Sequence, residues 1–189
     1  MNITKTLTAA VLVCTFQISS AGENLVQNGD FSTKNLKPWK VFALKGETKP
    51  EANVAEGILT MKSATVAENA SKRQMMQDLT GVKSNTAYTL SFDVKASSPS
   101  KELIVLLNPS KPGDGHYGLR RKVEVTTEWA TQTVKFTSKE IAADNPAKLK
   151  FLLGMIKGEI SLRNIKLAES NGAGKGGGKK KEPAKTPAE

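Results

Sequence analysis

The sequence is poor in the residues most enzyme chemistry needs: one cysteine, one histidine and ten aromatic rings among 189 residues. The cysteine, Cys14, sits in an apolar run from Thr6 to Ile18, with Lys5 ahead of it and Ser19-Ser20-Ala21 behind. That order of charge, apolar stretch and small residues predicts a signal peptide over 1–21, cleaved after Ala21. The run is too short to span a bilayer comfortably. Leu12 and Val13 precede the cysteine where lipoprotein processing prefers a small residue, which argues against a lipid anchor. Without residues 1–21 the chain has no thiol, so cysteine nucleophiles, disulfides and cysteine metal sites are excluded together. A single histidine cannot build a histidine-rich metal site. No H-E-x-x-H, G-x-S-x-G or phosphate-loop pattern is present. Asp93, Asp114 and Glu124 are available as carboxylates, but their spacing pairs no two of them as glycosidase chemistry requires. No catalytic residue is assigned, and the chain is not expected to be an enzyme.

What remains is basic and all-β in pattern. The formal net charge of +10 is spread unevenly. The stretch 171–189 holds five lysines and two glutamates among glycines, alanines and prolines, and no large apolar residue. Such a segment cannot offset its ordering entropy, so a disordered Lys/Gly/Pro-rich tail is expected there. It is either a solubilising tail or an electrostatic tether to an anionic cell-surface polymer. The rest of the excess positive charge lies on residues 22–170, with Lys34, Lys37, Lys40, Lys45 and Lys49 clustered early. That stretch is long enough for one core of ordinary size.

Apolar residues in 22–170 recur with period two. Tyr88, Leu90, Phe92 and Val94 alternate with Thr89, Ser91, Asp93 and Lys95, the signature of a half-buried strand. Gln132 to Phe136, Leu149 to Leu153, and Val123 with Val125 continue the pattern. Leu103 to Leu107 is unbroken and apolar, as in a central strand or one covered on both faces. Turn signals separate these runs, among them Asn28-Gly29-Asp30, Pro109 to Gly115 and Asp144-Asn145-Pro146. Many short strands with no long amphipathic helix predict a two-sheet antiparallel β-sandwich. Ile160 and Leu162 have one parity, Ile165 and Leu167 the other. Both pairs face a core only if a β-bulge near Arg163-Asn164 absorbs one residue.

Four segments, in order, carry a family resemblance: Asn24 to Phe31 (NLVQNGDF), Gln77 to Ala96 (QDLTGVKSNTAYTLSFDVKA), Val123 to Thr137 (VEVTTEWATQTVKFT) and Gly158 to Leu167 (GEISLRNIKL). Together they resemble the CenC-like carbohydrate-binding modules of families 4 and 9, within the galactose-binding-like jelly rolls. The resemblance implies a jelly-roll sandwich that holds a polysaccharide on one sheet face and its loops, and that usually works beside a glycoside hydrolase. A separate glycoside hydrolase is therefore a partner to expect, and no nucleic acid is expected.

Glycan binding uses aromatic faces against sugar rings and planar polar groups for hydroxyls. The stretch Ser71 to Gln77 (SKRQMMQ) resembles the one where the family places ligand-contacting glutamines. Gln74 is the first candidate, with Arg73 beside it. Gln77 has the opposite parity in a regular strand, so both glutamines face one ligand only across a bulge. The loop Asn108 to Arg121 supplies Tyr117 flanked by Gly115 and Gly118, with Asp114, His116 and Arg120 as polar partners. Trp39 is a weaker platform candidate, and Trp129 stands where the family has a structural tryptophan and is expected in the core. Family members often hold a structural calcium through an acidic residue after the early phenylalanine and an aspartate in the last strand. Ser32 and Arg163 occupy those positions here, so no calcium or other cofactor is expected, and Arg163 is expected to pair with Asp30 or another acid. The signal places the protein outside the cytoplasm, secreted or periplasmic. The other reading of the same sandwich is an extracellular adhesion or assembly module that contacts protein or an anionic cell surface.

Overall fold

A computed structural model describes residues 22–111 and 115–170; the signal segment, the tail and Asp114 fall outside the described residues. Ten strands form in chain order: β1 (Lys40–Ala43), β2 (Glu51–Ala55), β3 (Ile58–Ser63), β4 (Arg73–Asp78), β5 (Ala87–Ala96), β6 (Ser100–Pro109), β7 (Arg120–Val125), β8 (Ala130–Thr137), β9 (Ala147–Leu152) and β10 (Gly158–Glu169). One 3-10 turn, Ala70–Lys72, leads into β4 and is capped by the Asn69 side chain. The strands make two five-stranded sheets, ordered β1-β4-β9-β6-β7 in the front sheet and β2-β3-β10-β5-β8 in the back sheet. Every pairing is antiparallel. The expected all-β sandwich is the fold observed.

The core lies between the sheets and follows from the alternation. Tyr88, Leu90, Phe92 and Val94 of β5 are at most 1% exposed, while the residues between them stay half-buried on the back sheet's outer face. From the front sheet, Met75, Leu103, Val105, Leu107, Leu149 and Phe151 point inward and are fully buried. Phe151 meets Phe92 of the opposite sheet edge-on at 5.2 Å and Trp39 at 6.1 Å between ring centroids, a geometry that adds to burial itself. Full burial of each large apolar side chain contributes about 1.5–3 kcal/mol, and burial must hold this disulfide-free domain.

The bulge forms where parity demands it. The β10–β5 register shifts between Arg163 and Lys166, and Asn164 takes a left-handed backbone (φ 55°). Ile160, Leu162, Ile165 and Leu167 are thereby all buried. The Asn28-Gly29 turn packs on this bulge: the Ile165 amide donates to the Gly29 carbonyl at 2.9 Å. A Cβ on Gly29 would lie 2.0 Å from the Ile165 carbonyl oxygen, so only glycine fits this approach.

Candidate functional site

Strand register places the outward side chains of the front sheet in rows. One row runs Phe42, Gln74, Leu152, Ile104 and Lys122 across β1, β4, β9, β6 and β7. The next runs Lys40, Met76, Lys150, Leu106 and Arg120. A shorter third row holds Asp78, Lys148 and Asn108. Ile104, Leu106 and Leu152 form a small apolar cluster of their own, separate from the main core and joined by Ala70. The face thus has an aliphatic floor, itself buried at 5–7% exposure, bordered by amides and cations.

Its polar groups divide into engaged and unengaged. Lys122 pairs with Glu102 at 2.9 Å. Asp78 takes Lys40 at 3.2 Å and Lys148 at 3.4 Å. Burial pushes the Asp78 carboxyl up, but the Lys40 hydrogen bond and the Lys148 charge outweigh it and hold the carboxyl below its usual range. Gln74 donates its amide to the Ser71 carbonyl at 2.5 Å, while its Oε1 is buried without a partner among the described residues. The Asn108 Oδ1 is in the same condition. Orphaned buried acceptors of this kind cost about 1–3 kcal/mol. Lys150 and Arg120 have no hydrogen bond or ion pair among the described residues. Burial, with help from the charge of Lys148, pushes the Lys150 ammonium below the usual lysine value.

The candidates drawn from the sequence separate on this map. Gln74 and Arg120 stand on the outer face of the front sheet. His116, close enough to Arg120 to feel its charge, is half-buried with its Nδ1 unpartnered among the described residues. Burial lowers its pKa first, followed by the charges of Lys139 and Arg120. Gln77 is turned inward and only 1% exposed, because β4 is regular and no bulge reverses it. It accepts from the Gln27 amide and donates to the Gln27 carbonyl, both at 2.8 Å, and so clamps the N-terminal segment. Arg73 is also inward and 3% exposed, ion-paired to Glu47 at 2.8 Å and bonded to the carbonyl and hydroxyl of Thr65. Two aromatic platforms are corrected as well. The Tyr117 ring is buried and its hydroxyl donates to the Asn145 carbonyl at 2.7 Å. Trp39 is 3% exposed in the core, donating to the Asn28 carbonyl at 3.2 Å. Neither ring offers a face to a ligand here.

Trp129 departs from expectation in the other direction. It is half-buried at the back sheet, with the Arg163 guanidinium 4.3 Å and the Lys95 ammonium 5.2 Å from its ring centroid. Arg163 pairs with Asp93 at 3.2 Å and not with Asp30. Asp93 also accepts from Thr131 at 2.7 Å and from Asn164 at 2.8 Å. The Thr131 hydrogen bond leads in holding the Asp93 carboxyl below its usual range, with Asn164 and Arg163 reinforcing it against the opposing effect of burial. Asp30 instead closes its own turn, accepting from the amide and hydroxyl of Ser32. Sequence reasoning missed Lys150, Asn108 and Phe42 as members of the front face. The one legible signal was Lys150, a charge set between Leu149 and Phe151 in an apolar strand.

Fold and face together define an antiparallel β-sandwich whose front sheet is bordered by amides and cations. The family model for the carbohydrate binding domain of the 4/9 type matches residues 23–156, and the chain belongs to that family. No curated protein matches the sequence. Among solved structures, one described as CBM4 structure and function aligns with a TM-score of 0.66 at 20% identity, covering 76% of this chain and 99% of the other. The second N-terminal cellulose-binding domain of β-1,4-glucanase C from Cellulomonas fimi aligns at 0.67 and 21%, covering 82% and 99%. The family 11 module of Clostridium thermocellum, solved with a β-1,3-1,4-mixed-linked tetrasaccharide, aligns at 0.53 and 17%, covering 79% and 96%. At these identities the likeness is one of fold.

Proposed function

We propose that this chain is a secreted, non-catalytic carbohydrate-binding module that holds a polysaccharide across the outer face of its front sheet. The observation that carries the reading is the convergence of Gln74, Asn108, Lys150 and Arg120 on one sheet face. Two of these bring buried acceptors without partners among the described residues. Sugar hydroxyls are the donors such acceptors take once their side chains turn outward, and Ile104, Leu106 and Leu152 lie beneath as an apolar floor. Membership of the carbohydrate binding domain family supports the ligand class. Of the carboxylates on or beside this face, Asp78 and Glu102 are each ion-paired to lysine, which suits binding and not acid–base work on a glycosidic bond. Export rests on the layout of residues 1–21, and sequencing the exported protein tests it, with Gly22 expected as the first residue.

A glycan array probed with the full chain tests the reading. Gln74→Ala is expected to weaken binding roughly tenfold with an unchanged melting temperature, and a chain that retains no glycan at all sinks the proposal. Deleting 171–189 tests the tail on its own; undiminished retention on cell-wall material removes the tether role. The assembly reading has one observation in its favour, the aliphatic floor formed by Ile104, Leu106 and Leu152. It requires concentration-dependent self-association or protein capture that Leu106→Glu abolishes.

A further inference from the structure

The front face differs from a neutral-sugar platform in two respects, its charge and its rings. Only Phe42, half-buried on the edge strand β1, brings an aromatic ring to its outer rows. In their place the outward side chains of the sheet include Lys40, Lys122, Lys148, Lys150 and Arg120 against Asp78, Glu102 and Glu124. Lys150 is the telling residue. It stands on the third of five strands, in one row with Met76 and Leu106, and burial there disfavours its charge. A structural purpose does not account for it, since an aliphatic residue would extend the Ile104, Leu106 and Leu152 cluster without desolvating an ammonium. An uncompensated, partly desolvated cation at the centre of a sheet face fits a ligand that brings the missing negative charge.

We infer that the polysaccharide held on this face is acidic, its carboxylate or sulfate groups received by Lys150 at the centre and Arg120 at the rim. This rests on the front-face reading given above. Geometry supports it through spacing as well as sign. Adjacent strands lie about 4.8 Å apart, so Lys40, Lys150 and Arg120, on alternate strands of one row, recur at roughly 10 Å across the sheet. That step is close to two sugar rings of an extended chain running across the strands. Charges displayed once per two rings would meet a cation at each step. Lys40 is tied to Asp78, but both side chains are more than half exposed, and a surface pair of this kind exchanges partners at little cost. The Gln74 and Asn108 acceptors in the flanking rows, turned outward, take hydroxyls between the charges. A charge-assisted hydrogen bond from Lys150 or Arg120 is stronger than a neutral one, which makes acid recognition the larger part of affinity.

The test uses the full chain and three acidic polymers, polygalacturonate, alginate and glucuronoxylan, each beside its carboxyl-reduced neutral counterpart. Affinity electrophoresis or calorimetry at low salt is expected to show at least one acidic polymer bound roughly tenfold or more tightly than its reduced form. Lys150→Gln with Arg120→Gln is expected to remove most of that preference while the melting temperature holds or rises. Equal binding of acidic and reduced forms, or binding of neutral glycans alone, overturns the inference and leaves the module reading standing. Absence of binding to every polymer and to the glycan array overturns both. An acid preference untouched by the double substitution places the charge recognition elsewhere on the chain and overturns the inference. Equal retention of duplex DNA, lost through the same two substitutions, reduces the face to a general polyanion surface and overturns the glycan class.

Discussion

The outer faces of the two sheets have similar ingredients and opposite conditions. On the back sheet no buried side-chain polar atom lacks a partner among the described residues: Lys62 meets Glu159, Thr60 meets Ser161, Thr89 meets Ser170, and Asp93 gathers Thr131, Asn164 and Arg163. Even its cations over Trp129 have a ring to rest on. The front sheet pairs Lys40, Lys122 and Lys148 but leaves Lys150, Arg120 and the Gln74 and Asn108 oxygens without hydrogen-bond or ion-pair partners among the described residues. The contrast teaches that a polar sheet face by itself says little about binding. A face that satisfies itself is a wall; one that leaves capacity unfilled at its centre has room for a partner.

The comparison can be broken first at Arg73, which the sequence groups with Gln74 and the structure puts on the other side of the strand. Arg73→Ala leaves Glu47 without its buried partner and is expected to cost about 3–5 kcal/mol, read as a large fall in melting temperature. Glycan affinity of the folded fraction is expected to stay unchanged; if binding is lost with stability intact, the front-face map is wrong. Next is Asp93→Ala on the self-satisfied back face, expected to cost about 1–3 kcal/mol in denaturant unfolding and to leave binding untouched. Acid titration sharpens the same point. The Asp93 and Asp78 carboxyls are held below their ordinary values, so the stability they contribute is in place above the usual carboxylate range. It is lost as pH falls through their lowered values. Asp93→Asn is expected to flatten that acid limb. The smallest effect belongs to the unmet face: Lys150→Met is expected to raise the melting temperature slightly at pH 7 while weakening binding. Because the folded protein lowers this lysine from its ordinary 10.5, the gain is expected to fade as pH climbs to that value. A substitution that stabilises and disables together is the mark of a residue kept for function.

Much of the fold is legible in local pattern, because period-two alternation reports burial directly. The β5 run announces both its faces, and the parity conflict between Leu162 and Ile165 announces the bulge. The site is less legible because it is assembled by pairings far apart in sequence. Gln74 and Ile104 flank Leu152 on either side, and nothing local reveals that β9 lies between β4 and β6. Tyr117 shows a second kind of limit. A tyrosine beside glycine reads as a displayed ring, yet Gly118 takes φ 92° and passes so near the Thr137 carbonyl that a Cβ would lie 2.1 Å from it. That tight path accompanies a ring turned inward. Gln77 went the other way: its parity already pointed to the core, and the family motif suggested a ligand role that the clamp on Gln27 displaces.

The segment held by that clamp has a mechanical consequence. Residues 24–29 lie antiparallel to β10, with Leu25 bonded to Leu167 and Gly29 to Ile165, so residues 22 and 170 emerge side by side at one end. A load drawn between those two points opens the seam one hydrogen bond at a time, like a zipper, and does not shear it as a block. The strain falls first on the back sheet and reaches the front sheet, with its rows of amides and cations, only through the Gln77 clamp on Gln27. A module joined to other material through this end can therefore be tugged without its gripping surface being the first part to deform.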